Sequence, residues 1–140
     1  GLEKIKTIGD SYMVAGGIPN KDPEHLSKIL HLSLQLRESL NEYNHENGRN
    51  LALRIGVSTG PLVAGVIGTK KLVYDIWGDS VNMASRMEST GIPGRIQVTQ
   101  EVSNQSYERF IFTERGPIEI KGKGLLVTYF LDGPRTNPIT

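Results

Sequence analysis

The chain has 140 residues, 16 Lys plus Arg against 15 Asp plus Glu, a formal net charge of +1 and no cysteine. Near-neutral charge excludes a global pull toward nucleic acid or an anionic membrane, so any bound anion needs a local cluster. The lack of cysteine excludes disulfides, zinc-thiolate sites and thiol catalysis and fits a cytoplasmic location, while the short apolar runs exclude a membrane span or signal-peptide core in this segment.

A chain of this length forms one domain that buries about two thirds of the surface exposed when unfolded. Its opening, "GLEKIKTIGD", already reads as a strand without an initiator Met, which marks a fragment of a longer chain. Residues 2–8 and 11–15 are apolar-rich runs around Gly9 and Asp10, and Gly at the first central position is the chemistry of a type II′ hairpin turn. A long helix follows, with Asp22 as N-cap, Pro23 at the first helical position and Glu24 in the first turn. Leu26, Ile29, Leu30, Leu36, Leu40 and Tyr43 recur near helical spacing and predict its core-facing stripe; Gly48 is its stop.

Residues 51–60 predict a strand closed by Gly60-Pro61, and "LVAGVIG" and "LVYDIWG" two further apolar runs. In "GDSVNMASRMESTGIPG", Asp79 or Ser80 caps a helix, Gly91 closes it and Pro93 prevents its resumption. "RIQVT" is a short strand and residues 100–107 a short helix. "FIFTERGPIEIKGKGLLVTYFLDG" then predicts two or three strands, with turns at Gly116-Pro117 and around Gly122-Lys123-Gly124. Residues 134–140 read as a loose tail. Interleaved strands and helices without repeats predict one α+β domain, helices packed on a mostly antiparallel sheet.

Three stretches carry polar residues that packing does not explain. Asp10 sits in the Gly-Asp turn, where it is either a turn former or a ligand, with Lys6 four residues before it. Asp75 lies between Tyr74 and Ile76 in an apolar strand, where a carboxylate is costly unless paired. Asn82 and Arg86, four apart on the next helix, project from one face; with Asp75 they make either a site or a buried hydrogen-bond network. In "KGKG", Lys123 between two glycines is placed to offer a point charge to phosphate, or is solvated surface. The Gly-rich "GPLVAGVIGTKK" lacks the Gly-Lys-Ser/Thr ending of a Walker motif.

"KIKTIGDSYMVAGG", "RIGVSTGPLVAGVIG", "YDIWGDSVNMASRMESTGIPG" and "ERGPIEIKGKG", taken in this order and at these separations, resemble the catalytic domain of class III nucleotidyl cyclases, from about Lys4 to Leu131. The resemblance implies a ferredoxin-like cyclase fold over residues 1–133 that lacks its first strand and first helices. It also implies two divalent ions, Mg²⁺ or Mn²⁺, held by two aspartates. Asp10 matches the second of these, and the first belongs to an upstream segment absent from this sequence. Magnesium takes one or two carboxylates plus phosphate oxygens, so this fragment alone is expected to be inactive or nearly so.

The same resemblance makes Lys6 and Asp75 the base-reading pair. Adenine offers an amino donor to Asp75 and a ring acceptor to Lys6, whereas guanine reverses both, and each mismatched buried group costs about 1 to 3 kcal/mol. The pair therefore implies ATP rather than GTP; the guanylyl branch carries Glu and a small residue such as Cys here. Asn82 resembles the ribose-orienting residue and Arg86 the residue that stabilises charge on the α-phosphate. Lys123, or its neighbour Lys121, matches the lysine on the terminal phosphates. The implied reaction is attack of the ribose 3′ hydroxyl on the α-phosphorus, giving cyclic AMP and pyrophosphate. The implied assembly is a head-to-tail homodimer about a two-fold axis, whose sites combine metal aspartates and base readers of different subunits. A catalytically silent, nucleotide-binding dimerisation module is the alternative.

Overall fold

The structure, a computed structural model, describes residues 2–136. Strands β1 (Leu2–Ile8) and β2 (Ser11–Gly16) form a hairpin followed by helix α1 (His25–Asn47). Strands β3 (Ile55–Val57), β4 (Val63–Ile67) and β5 (Val73–Trp77) lead into helix α2 (Asp79–Ser89). Strand β6 (Ile96–Thr99), helix α3 (Gln100–Ser106) and the long strands β7 (Phe110–Ile120) and β8 (Gly124–Pro134) complete the described chain. One sheet has the order β3-β6-β8-β7, while β1-β2 and β4-β5 are separate two-stranded hairpins. Among the described residues only the β3–β6 pairing is parallel, so the expected mostly antiparallel α+β architecture holds.

The core sits where α1 and α3 cover one face of the four-stranded sheet. Leu30 of α1, Val57 of β3, Ile96 and Val98 of β6, Val102 of α3, Phe110 of β7 and Leu131 of β8 are buried together. Strand alternation turns Gln97 and Thr99 to the opposite face, which α2 covers with the fully buried Met87. Each of the four β6 residues is buried, as expected for a strand covered on both faces. At Gly56 in β3 the sheet and α2 touch backbone to backbone: a Cβ there would lie 2.1 Å from the Glu88 amide nitrogen. An isolated glycine in an apolar strand signals such an approach.

Several local expectations change. The first stripe residues, Leu26, Ile29 and Leu30, do meet the core, but Leu36 and Tyr43 are exposed because α1 runs on past the sheet it covers. Asp22 acts one turn before the helix: its carboxylate accepts from Glu24 N at 2.9 Å and pairs with Lys28. Gly48 ends the helix in the left-handed conformation, as expected. The strand expected over 51–60 shrinks to three residues, since Asn44 binds both backbone groups of Leu51 and holds that segment off the sheet. Gly116-Pro117 makes no turn but lies within β7, where the register slips between Glu114 and Gly116 and Gly116 takes φ +101° as a bulge. Neither Asp79 nor Ser80 caps α2; Gly78 is its N-cap residue, and the Ser80 hydroxyl donates to Pro61 O. Pro134 ends β8 and Arg135 Nε donates to Tyr107 O; residues 137–140 of the expected loose tail lie outside the described residues.

Candidate active site

The β1–β2 hairpin closes through a two-residue loop, with Ile8 opposite Ser11. Gly9 has φ +60° and, among the described residues, only glycines have positive φ, the pattern of the expected type II′ turn with Asp10 at its second position. Asp10 is therefore presented at an exposed tip. Farther down β1 the register slips between Lys4 and Lys6. Such bulges re-aim side chains, and here Lys6 Nζ reaches across to Asp75 Oδ2 of β5 at 2.9 Å.

Asp75 is 8% exposed, and its other oxygen accepts from the Ile76 N–H at 2.8 Å. The Lys6 ammonium and then the Ile76 amide hold its carboxyl below the usual carboxylate range, against the opposing effect of burial. Its cross-strand neighbour is Gly65, which brings no side chain of its own, and the Trp77 ring lies over that glycine. The cost of a carboxylate in an apolar strand, raised by the sequence, is thus met by a cation from another hairpin.

Strand β5 passes through Gly78 directly into α2. Asn82 is exposed on that helix and Arg86 half-buried, and neither side chain has a hydrogen-bond or ion-pair partner among the described residues. In the β7–β8 turn, Lys123 Nζ lies 2.6 Å from Asp79 Oδ1 at the first residue of α2. Lys121 is exposed in the same turn. The structure therefore brings Lys6 to Asp75, and Lys123 to the helix that carries Asn82 and Arg86. Asp10 makes no ion pair with any of the other five.

One carboxylate does not make a two-ion centre. Among the described residues no group of three or more His, Cys, Asp or Glu side chains could hold a metal ion. Asp10 offers a single ligand of the kind a magnesium-sized cation takes alongside phosphate oxygens.

Sequence reasoning missed three participants. Asp79, read as a helix cap, is the partner of Lys123. Gly65, opposite Asp75, leaves room for the Trp77 ring beside it. Gln97 is fully buried and ties the end of α2 to the sheet through Thr90 and Arg115. Its signal was available: an amide inside the apolar "RIQVT" demands partners.

Residues 1–133 match the family model of the adenylate and guanylate cyclase catalytic domain. An adenylate cyclase of Mycobacterium tuberculosis is 46% identical over 133 residues, covering 95% of this chain and 30% of that protein. The guanylate cyclase soluble subunit beta-2 of Rattus norvegicus is 41% identical over 133 residues, covering 91% of this chain and 19% of that subunit. The chain thus spans under a third of the length of these relatives. Among solved structures, a guanylate cyclase domain from Catenaria anguillulae in complex with GTP superposes with a TM-score of 0.90 at 32% identity, covering 96% of this chain and 74% of that one.

Proposed function

The chain belongs to the adenylate and guanylate cyclase catalytic-domain family, and from that premise we propose that it is the catalytic domain of an adenylyl cyclase, forming cyclic AMP and pyrophosphate from ATP. The observation that carries the choice of base is the Lys6–Asp75 pair, a donor and an acceptor 2.9 Å apart, half-buried and buried respectively. Those two groups match the adjacent acceptor and donor on the adenine edge and mismatch guanine at both places. Relatives of both specificities are similar to this chain, so overall likeness does not select the base and residue type does.

In this reading Asn82 orients the ribose and Arg86 meets the negative charge that grows on the α-phosphate. Lys123 leaves Asp79 to contact the terminal phosphates; an exposed ion pair of this kind is worth about 1 kcal/mol or less, so phosphate competes for it readily. Positioning and charge stabilisation supply most of the rate in such transfers. Asp10 gives one carboxylate to a divalent ion, Mg²⁺ or Mn²⁺, at a site shared with a second copy of the chain. The exposed apolar side chains of the two hairpins, Ile8, Tyr12, Val63, Val66, Leu72 and Trp77, support that homodimer. Among the described residues no helix is long and apolar enough to cross a membrane, and the domain is proposed to work in the cytoplasm.

The test is cyclic nucleotide formation by the full-length protein with ATP or GTP and Mn²⁺. ATP should be the better substrate, and Lys6→Glu with Asp75→Cys should move preference toward GTP. A full-length protein that binds ATP and makes no cyclic AMP would sink this reading. It would favour instead a silent nucleotide-binding dimerisation module, the alternative reading.

A further inference from the structure

The amide of Gln97 has all four of its hydrogen-bonding positions filled although the residue is fully buried. Its Nε2 donates to Met87 O and to Thr90 Oγ1, both at 2.9 Å. Its Oε1 accepts from an Arg115 guanidinium nitrogen at 2.7 Å and from Thr128 Oγ1 at 3.0 Å. The same Arg115 nitrogen donates to Thr90 O at 2.7 Å, and the Arg115 guanidinium lies 5.5 Å from the centre of the Phe130 ring. Thr90, in turn, gives both its N–H and its hydroxyl to Arg86 O, at 2.9 and 2.6 Å.

These bonds converge on the last turn of α2, where the Met87 and Thr90 carbonyls would otherwise lack partners. Arg86, Met87 and Thr90 carbonyls are satisfied by groups from β6, from β7 or from the Thr90 side chain that β6 holds. A guanidinium at this end also opposes the negative pole of the helix. Scaffold stability alone would be served as well by apolar residues, since replacing a buried polar network by packed hydrocarbon is often neutral. What hydrocarbon does not supply is a directional lock on the rotation and axial position of α2, and Arg86 sits on the turn so locked.

We propose that Gln97 and Arg115 are positioning residues that act through Thr90 to fix the last turn of α2 and with it the Arg86 guanidinium. The inference rests on the role given to Arg86 above. A displacement of about 1 Å of a catalytic group costs on the order of 100-fold in rate, so a loosened final turn should be read mainly in turnover.

The experiment compares wild type, Gln97→Glu, Thr90→Val and Thr90→Ser in the full-length protein. Gln97→Glu keeps the acceptors for Arg115 and Thr128 but loses both donors, and Thr90→Val keeps shape but loses the hydroxyl. Both should lower kcat by about 10- to 100-fold with the nucleotide KM changed by less than about threefold, whereas Thr90→Ser restores kcat. Unchanged kcat per folded molecule in Gln97→Glu and Thr90→Val overturns the inference, as does a loss in Thr90→Ser as deep as in Thr90→Val. If the wild-type full-length protein makes no cyclic nucleotide, the functional reading fails by itself and amide hydrogen exchange decides this inference. Faster exchange in Gln97→Glu confined to residues 86–91 supports the lock. Exchange that is unchanged, or that rises equally through α1 and β8, overturns it.

Discussion

The four-stranded sheet and the two hairpins obey different rules within one chain. In the sheet, Val57, Ile96, Val98, Phe110 and Leu131 are buried and each polar neighbour on the other face has a partner. In the hairpins Ala15 and Ile76 are buried, but many apolar side chains face outward: Val63 is 66% exposed and Leu72 71%. Yet the hairpins carry Lys6, Asp10 and Asp75, while α2 carries Asn82 and Arg86 and the β7–β8 turn carries Lys123. The sheet holds the packed core, and the hairpins hold charged groups and exposed apolar surface.

That contrast predicts where substitutions act. The largest expected effect is in the sheet: Phe110→Ala should cost about 3–5 kcal/mol in denaturant unfolding, and a loss below about 1 kcal/mol would show that the cluster is not the core. Gly56→Ala should follow, because the added methyl meets the Glu88 backbone rather than a yielding side chain. Overpacking of this kind costs about 1–3 kcal/mol, and here it should also lower turnover by shifting α2; a variant as stable and as active as wild type would refute the close contact.

On the hairpins the sign of the contrast reverses. Val66→Ser with Trp77→Ser should change the unfolding free energy of the isolated chain by no more than about 0.5 kcal/mol each. Sedimentation of the full-length protein should nevertheless show weakened self-association. Unaltered association would remove the hairpins from the interface.

The smallest effect concerns pH. Asp75 has its carboxyl lowered in the folded chain by Lys6 and then by the Ile76 amide. A lowered folded value means that its contribution is complete above the unfolded carboxylate value, near 4, and disappears as pH falls through the folded one. Lys6→Met should therefore flatten the acid limb of the stability–pH curve below about pH 4. An identical acid limb would mean that the pair is not formed in solution.

Much of this was legible in the residues. Gly48 and the Gly9-Asp10 turn are local φ requirements and were read correctly, as was the short strand β6. Leu36 and Tyr43 share the period of Leu26 and Leu30, and only the length of the sheet beneath α1 leaves them in water. Gly116-Pro117 has the composition of a turn, but ten ladder partners on β8 carry β7 through it as a bulge. Asp79 looks like a cap because capping is a local act; its ion pair with Lys123 joins residues far apart in sequence.

Sequence by itself determined the order of elements, the residue types able to read a purine and meet phosphate, and the family. These depend on side-chain chemistry and on conformational preferences that act over a few residues. Tertiary structure alone decided that Lys6 faces Asp75, that Gln97 and Arg115 lock α2 through Thr90, and that Asp10 stands by itself among the described residues. Such facts depend on which distant segments share a surface, and distance along a chain does not encode that.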